Sequence, residues 1–179
     1  MSLYVTRHGE TDYNVDYLVC GISKAKLTTK GKEQAKQLGE KLKEINYQYL
    51  YVSPLQRAID TARLAIGNKN IEMIIEPRIC EINFGIYEGK PRSHDGFLTN
   101  KYNLAYRYPG GESFIELCVR VYSFLEEIKK QAIDHDVLLV CHGAVCRAIH
   151  TYFTDMSNDD IFHYAIDTCQ LLKYDYLSR

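Results

Sequence analysis

The sequence predicts one α/β domain over residues 1–179, a three-layer sandwich with a mainly parallel central sheet and helices on both faces. Three observations carry this. Apolar runs of strand length alternate with stretches whose apolar residues recur every three or four positions. The run Val137 to Cys141 is apolar throughout, as a strand covered on both faces requires. Two runs far apart in the chain each end in His-Gly, at His8-Gly9 and His142-Gly143, which is how parallel strands deliver polar residues to one edge of an open sheet.

Each element follows in order. Ser2 to Thr6 is short and β-prone and ends at Arg7-His8-Gly9. Ala35, Leu38, Leu42 and Ile45 mark an amphipathic helix with Thr28 or Thr29 at its N-cap. Tyr49 to Val52 reads as the second strand. Ser53-Pro54 then places a capping residue and a first-turn proline before a helix whose stripe is Leu55, Ile59, Ala62 and Ile66, with Arg57 in its first turn. Ile71 to Ile75 is the third strand, closed by Pro77. The polar stretch 89–111 is too long for a plain connector and reads as a lid or specificity loop. A long helix from Glu112 to about Ala132 carries Ile115, Cys118, Val121, Tyr122, Leu125 and Ile128. The strand Val137 to Cys141, a helix from Ala144 to Phe153 and a last strand from Cys169 to Tyr176 complete the chain.

Composition narrows the function. With 22 basic and 23 acidic side chains and a net charge of -1, the chain has no polybasic stripe for nucleic acid, so an anion must be held by a few converging residues. The six cysteines include no C-x-x-C pair, which fits a reducing cytoplasm. No signal peptide and no uncharged stretch of membrane-spanning length is evident, so neither secretion nor a membrane partner is expected.

Neighbouring parallel strands would set His8 and His142 side by side, and Arg57 would point to the same edge as Arg7. Two guanidinium groups and two imidazoles suit a tetrahedral dianion, because Arg forks match phosphate geometry. A neutral His8 can then act as nucleophile toward phosphorus, and Glu81 is the candidate proton donor to the leaving group. The arginines supply the positive charge, so neither metal nor cofactor is expected.

The ordered motifs Thr6-Arg7-His8-Gly9-Glu10-Thr11, Asn14, Leu27-Thr28-x-x-Gly31-x-x-Gln34-Ala35, Ser53-Pro54-Leu55-x-Arg57-Ala58-x-x-Thr61-Ala62, Glu81-x-x-Phe84-Gly85-x-x-Glu88-Gly89, Gly110-Gly111-Glu112-Ser113 and His142-Gly143 resemble the histidine phosphatase superfamily, phosphoglycerate mutase-like branch. The resemblance implies that His8 is phosphorylated, that Arg7, Asn14, Arg57, His142 and Gly143 bind the phosphoryl group, and that Glu81 donates the proton. Lys24 and Lys26 stand where the family has Asp and Pro. Family mutases carry paired arginines in a longer insert after the Glu81 motif and a further tail; here only isolated Lys90, Arg92, Lys101 and Arg107 occur. Hydrolysis of a small phosphorylated metabolite is therefore expected over mutase action, with a catalytically silent phosphate binder as the other alternative.

Lys24, Lys26, Tyr102, Tyr106 and Tyr108 are expected to meet an anionic or ring-bearing leaving group. Cys141 to Arg147 also fits the C-x5-R spacing of cysteine-dependent phosphatases. That loop should be glycine-rich, whereas Ala144 to Ala148 reads as helix, so Cys141 and Cys146 are read as packing thiols.

Overall fold

The computed structural model describes residues 2–176. Strands β1 (Leu3–Arg7), β2 (Tyr49–Val52), β3 (Met73–Ile75), β4 (Val137–Cys141) and β5 (Leu171–Tyr174) form one sheet in the order β3-β2-β4-β1-β5. The first four are parallel and β5 runs antiparallel to β1. The longer helices are α2 (Thr29–Leu42), α3 (Gln56–Ile66), α5 (Phe114–Asp134) and α6 (Gly143–Phe153), with short helices α1 (Asp12–Val15), α4 (Asp95–Asn100) and α7 (Asn158–His163) between them.

The pleat of β4 explains its unbroken apolar run. Val137, Leu139 and Cys141 enter one buried cluster with Leu117, Val121, Phe124 and Leu125 of α5 and Val145 and Ile149 of α6. Leu138 and Val140 enter a second cluster with Ala35, Leu38 and Leu42 of α2 and Ala58, Ala62 and Ala65 of α3. Successive side chains of a strand point to opposite faces, so one strand feeds both helical layers and needs apolar residues at every position. This is the three-layer sandwich the sequence predicts.

Several boundaries differ from expectation. Of the two threonines, Thr28 caps α2, accepting from the Gly31 amide. The helix after β2 starts at Gln56 rather than Pro54, because the Ser53 hydroxyl is engaged elsewhere and Leu55 occupies the cap without a side-chain bond. Its buried face is Ala58, Ala62 and Ala65, and Ile59 and Ile66 are half-buried beside the second cluster. The third strand shortens to three residues, since Ile71 closes a turn onto Lys69. The last strand begins at Leu171, after Cys169 at φ +58°. Helix α5 is capped by Ser113 in a reciprocal box with Glu116. Its Ile115 lies exposed, and the full core stripe runs through Leu117 and Phe124. The stretch 89–111 holds α4 and is pinned by Phe97 and Tyr108, whose rings pack with Phe84 and Tyr87.

Candidate active site

The β1–β4 register pairs Arg7 with Cys141, so the next residue on each strand, His8 and His142, meet at the carboxyl edge of the sheet with ring centroids 5.1 Å apart. The connection after β1 runs to the α2/α3 face, whereas α6 follows β4 onto the other face. The chain therefore diverges at this edge and leaves a crevice, the position where open α/β sheets bind ligands.

His8 is 4% exposed. Its Nδ1 lies 2.7 Å from the Gly9 carbonyl oxygen, an acceptor that can only receive a proton, so Nδ1 carries the hydrogen and Nε2 bears the lone pair. The Arg57 Nε–H donates to that Nε2 at 3.1 Å. Burial, with Arg57 and Arg7 adding to it, drives the His8 pKa well below the usual imidazole value. The ring is thus neutral at physiological pH, with its nucleophilic nitrogen facing cations.

Arg57 is 1% exposed, an uncommon state for a cation. Its Nη2 donates to the Gly21 carbonyl at 2.6 Å and its Nη1 to the Ser23 carbonyl at 2.9 Å. Those carbonyls are held in turn by Glu88, whose carboxylate accepts from the amides of Gly21, Ile22, Ser23 and Phe84 and from the Ser23 hydroxyl. Glu88 is consumed in fastening this turn and does not line the cavity, whereas Glu81 does. A methyl at Gly21 would lie 2.0 Å from the Ile82 carbonyl, so the close approach of this turn to the Glu81 segment requires glycine.

His142 is fully buried. Its Nε2 lies 2.6 Å from the Ser53 Oγ, which also accepts from the Leu55 amide; when the serine hydroxyl donates to Nε2, Nδ1 carries the imidazole proton. That Nδ1 and the Nε of Arg7 are the two buried side-chain polar atoms left without a hydrogen-bond partner among the described residues. An unpaired buried polar atom is costly, and these two sit on Arg7, which lines the cavity, and on the His142 ring next to His8. Arg7 is steadied by donating Nη1 to the Ile166 carbonyl at 2.8 Å.

Glu81 is 7% exposed, and its carboxylate accepts from the Ile82 amide at 2.9 Å and from the Ala144 amide at the start of α6 at 3.1 Å. Arg120 of α5 donates to the carbonyls of Arg78, Cys80 and Glu81 and pairs with Glu112, fixing the backbone that carries Glu81. Gly143 stands between: a Cβ built there would lie 3.8 Å from Arg7 Nε and 3.9 Å from Glu81 Oε2. Asn14 lines the cavity, its Oδ1 committed to Thr11 in the α1 capping box, which leaves the amide nitrogen as its free end.

The structure brings Arg7, His8, Asn14, Arg57, Glu81, His142 and Gly143 to one place. The cavity, about 310 Å³, opens from there between Phe84, Phe97, Tyr108 and Phe114 on one side and the segment 161–166 on the other. Other expectations are corrected. Lys24 and Lys26 are exposed and do not line the cavity, because that turn faces outward while its carbonyls point in to Arg57. Of the three tyrosines only Tyr108 lines it; Tyr102 packs on Phe162 and Tyr106 on Tyr108. Cys141 and Cys146 are fully buried with sulfurs 3.4 Å apart, and burial pushes the Cys141 thiol well above its ordinary pKa, so no thiolate faces the crevice.

Sequence reasoning missed Ser53 as the partner of His142, Glu88 and Arg120 as supports, and Arg147, which lines the cavity and donates Nε and Nη2 to the Tyr164 carbonyl. A signal existed for Arg120: it sits beside Leu117 and Val121 on the buried stripe of α5, where a charge needs a purpose.

Fold and site together define a histidine-centred phosphoryl-binding α/β protein. Residues 3–179 match the histidine phosphatase superfamily (branch 1), and the chain belongs to that family. It is 36% identical over 144 residues to fructose-2,6-bisphosphatase TIGAR B of Danio rerio, an alignment covering 74% of this chain and 55% of that protein, so the chain spans about half the length of that relative. It is 29% identical over 188 residues to the 2,3-bisphosphoglycerate-dependent phosphoglycerate mutase of Cytophaga hutchinsonii, covering 99% of this chain and 88% of the other. Among solved structures, the alpha-ribazole phosphatase of Shigella flexneri superposes with a TM-score of 0.87 at 27% identity, over 98% of this chain and 90% of that one.

Proposed function

We propose that the protein is a phosphatase that hydrolyses a small phosphorylated metabolite through a phosphohistidine at His8, without a metal or cofactor. The observation that carries this reading is the neutral His8 with its Nε2 lone pair facing Arg57 and its ring beside Arg7 and His142, whose buried Nε and Nδ1 have no hydrogen-bond partner among the described residues.

In the first step Nε2 attacks phosphorus and the ester P–O bond breaks. Arg57 Nε–H moves from the lone pair to a phosphoryl oxygen, and Arg7 Nε and His142 Nδ1 take other oxygens, so charge on the transferring group is met by fixed donors. Glu81 gives its proton to the departing alkoxide. In the second step water attacks phosphorus, Glu81 takes the water proton, the P–N bond breaks, and inorganic phosphate and free His8 result. The stretch 89–111 acts as the specificity wall of the cavity.

The partner is a small phosphate ester rather than nucleic acid or membrane; the balanced charge supports the former, and no helix among the described residues is long and apolar enough to cross a membrane. A cytoplasmic setting is supported by six free cysteines, two of them with unjoined sulfurs 3.4 Å apart.

The test is hydrolysis of an aryl phosphate under EDTA by wild type, His8→Ala and Glu81→Gln, with phosphoenzyme trapped by rapid quench. Turnover and acid-labile label lost with His8, and turnover of alkyl esters strongly reduced with Glu81, are expected. A phosphoryl group delivered to an added acceptor monophosphate instead of water would identify a mutase, and wild type without turnover or label would identify a silent binder.

A further inference from the structure

Two imidazoles share the crevice, and the proposed reaction asks opposite things of them: a lone pair from His8 and a donated hydrogen from His142. His8 is set by a group that can only accept, the Gly9 carbonyl. His142 has no such partner. Its Nε2 meets the Ser53 hydroxyl, which can give or receive.

The sheet puts that hydroxyl there. Strands β2 and β4 pair in parallel with Val52 opposite Val140, and the Ser53 amide extends the ladder by donating to the Val140 carbonyl at 3.0 Å. The residue after β2 therefore sits against the residue after β4, and both are fully buried. Pro54 brings no amide hydrogen to the hydroxyl, and the Leu55 amide reaches it at 3.4 Å, so His142 is its short partner.

Counting hydrogens decides the direction. Burial and then Arg57 hold the His142 pKa well below the usual imidazole value, so the ring carries one hydrogen. With that hydrogen on Nε2, the ring donates to Ser53, the serine hydrogen finds no acceptor among the described residues, and Nδ1 is left as a buried lone pair without a partner. Two buried groups go unanswered. With the hydrogen on Nδ1, the serine hydroxyl satisfies Nε2, and the remaining N–H is completed by a phosphoryl oxygen.

We propose that Ser53 is a positioning residue: its hydroxyl donates to His142 Nε2 and holds His142 in the Nδ1–H form that gives a hydrogen bond to the phosphoryl group. This rests on the phosphoryl-binding reading of the crevice. Both histidines then carry their hydrogen on Nδ1 but are used from opposite ends, His8 through the bare Nε2 and His142 through the Nδ1–H.

The test reads the tautomer directly. Wild type containing isotope-labelled histidine is titrated with ethylphosphonate, an anion that cannot be turned over, and the ring-nitrogen NMR signals of His142, assigned by their loss in His142→Gln, show which nitrogen carries hydrogen. The loaded wild type should be Nδ1–H. Ser53→Ala should move part of that signal to Nε2–H, weaken ethylphosphonate binding by about tenfold or more, and slow His8 labelling by a similar factor. Loaded wild type in the Nε2–H form overturns the role of Ser53, as does a folded Ser53→Ala that keeps wild-type affinity and labelling rate; should that variant not fold, the wild-type spectrum decides. Ethylphosphonate that does not bind wild type would overturn the phosphoryl pocket itself, and the Ser53 role with it, whereas ethylphosphonate bound with His142 as Nε2–H overturns the Ser53 role alone.

Discussion

Replacing Gly143 by alanine should separate stability from activity, because the two depend on different properties of that residue. Gly143 opens α6 with an ordinary helical backbone, and the added methyl would meet nothing closer than 3.8 Å, so the fold accommodates it without strain. Removing the glycine reduces the freedom of the unfolded chain, worth about 0.4–1 kcal/mol of added stability. For a chain of this size that is a rise in Tm of about 1–4 °C. The same methyl, however, would stand between Arg7 Nε and Glu81 Oε2, in the space where a phosphoryl oxygen and the leaving-group oxygen must sit. Displacing the reacting group by about 1 Å costs on the order of a hundredfold in rate. Thermal unfolding followed by circular dichroism, together with kcat/KM on an aryl phosphate and quench-trapped label, reads both quantities on one preparation. A variant that is stabilised and keeps wild-type kcat/KM would show that the phosphoryl group does not bind against Gly143, and the placement of the anion between Arg7, His8 and His142 would have to be abandoned.

Three other perturbations probe the site from different sides. His8 and His142 are both buried neutral, with desolvation and then Arg57 lowering each pKa well below 6.5, so below that pH the unfolded chain takes up protons the folded one refuses. Stability should fall as pH drops through 6.5, with a slope of up to about 2.7 kcal/mol per pH unit, and a urea midpoint unchanged between pH 7 and 5 would contradict the neutral assignment. Glu88→Gln keeps the shape but turns an NH2 toward amide donors that now meet a carboxylate; we expect a loss of about 1.5–3 kcal/mol in stability and a fall of about tenfold or more in the rate of His8 labelling, with rescue by no added anion. If labelling is unaffected while stability drops, the Gly21–Ser23 turn does not position Arg57. Cys141→Ala should cost about 1–3 kcal/mol of packing and keep kcat/KM within about threefold, whereas a hundredfold loss would put the thiol into the chemistry.

The contrast between what was legible in the sequence and what was not has a physical basis. The sheet edge was readable because β4 is apolar at every position and because strand ends are fixed by register: Arg7 opposite Cys141 leaves His8 opposite His142. Arg57 was readable because a cation at the start of a helix conflicts with the helix dipole. Ser53 was misread, since its position before Pro54 has the form of a helix cap, and only the three-dimensional neighbour His142 outcompetes that role. Arg147 was hidden inside a helical stripe where its neighbours Cys146 and Ala148 are core, and the carbonyl that holds it lies seventeen residues away in sequence. Lys24 and Lys26 misled because the turn they occupy contributes to the site through its carbonyls, which every residue has, rather than through its side chains.

The division of labour around the crevice has a practical consequence for altering the protein. In the proposed reaction the phosphoryl group is gripped by residues at strand ends and by one deeply buried arginine, tied to backbone carbonyls, to each other or, for His142, to the Ser53 hydroxyl. The wall that would meet the rest of a substrate is built instead from side chains at Phe84, Phe97, Tyr108 and Phe162, on segments outside the sheet. A library confined to the wall side chains of the 97–108 and 161–165 segments would therefore reshape which molecules enter while leaving the bond-breaking centre as it is, so that new specificities could be selected without rediscovering catalysis each time.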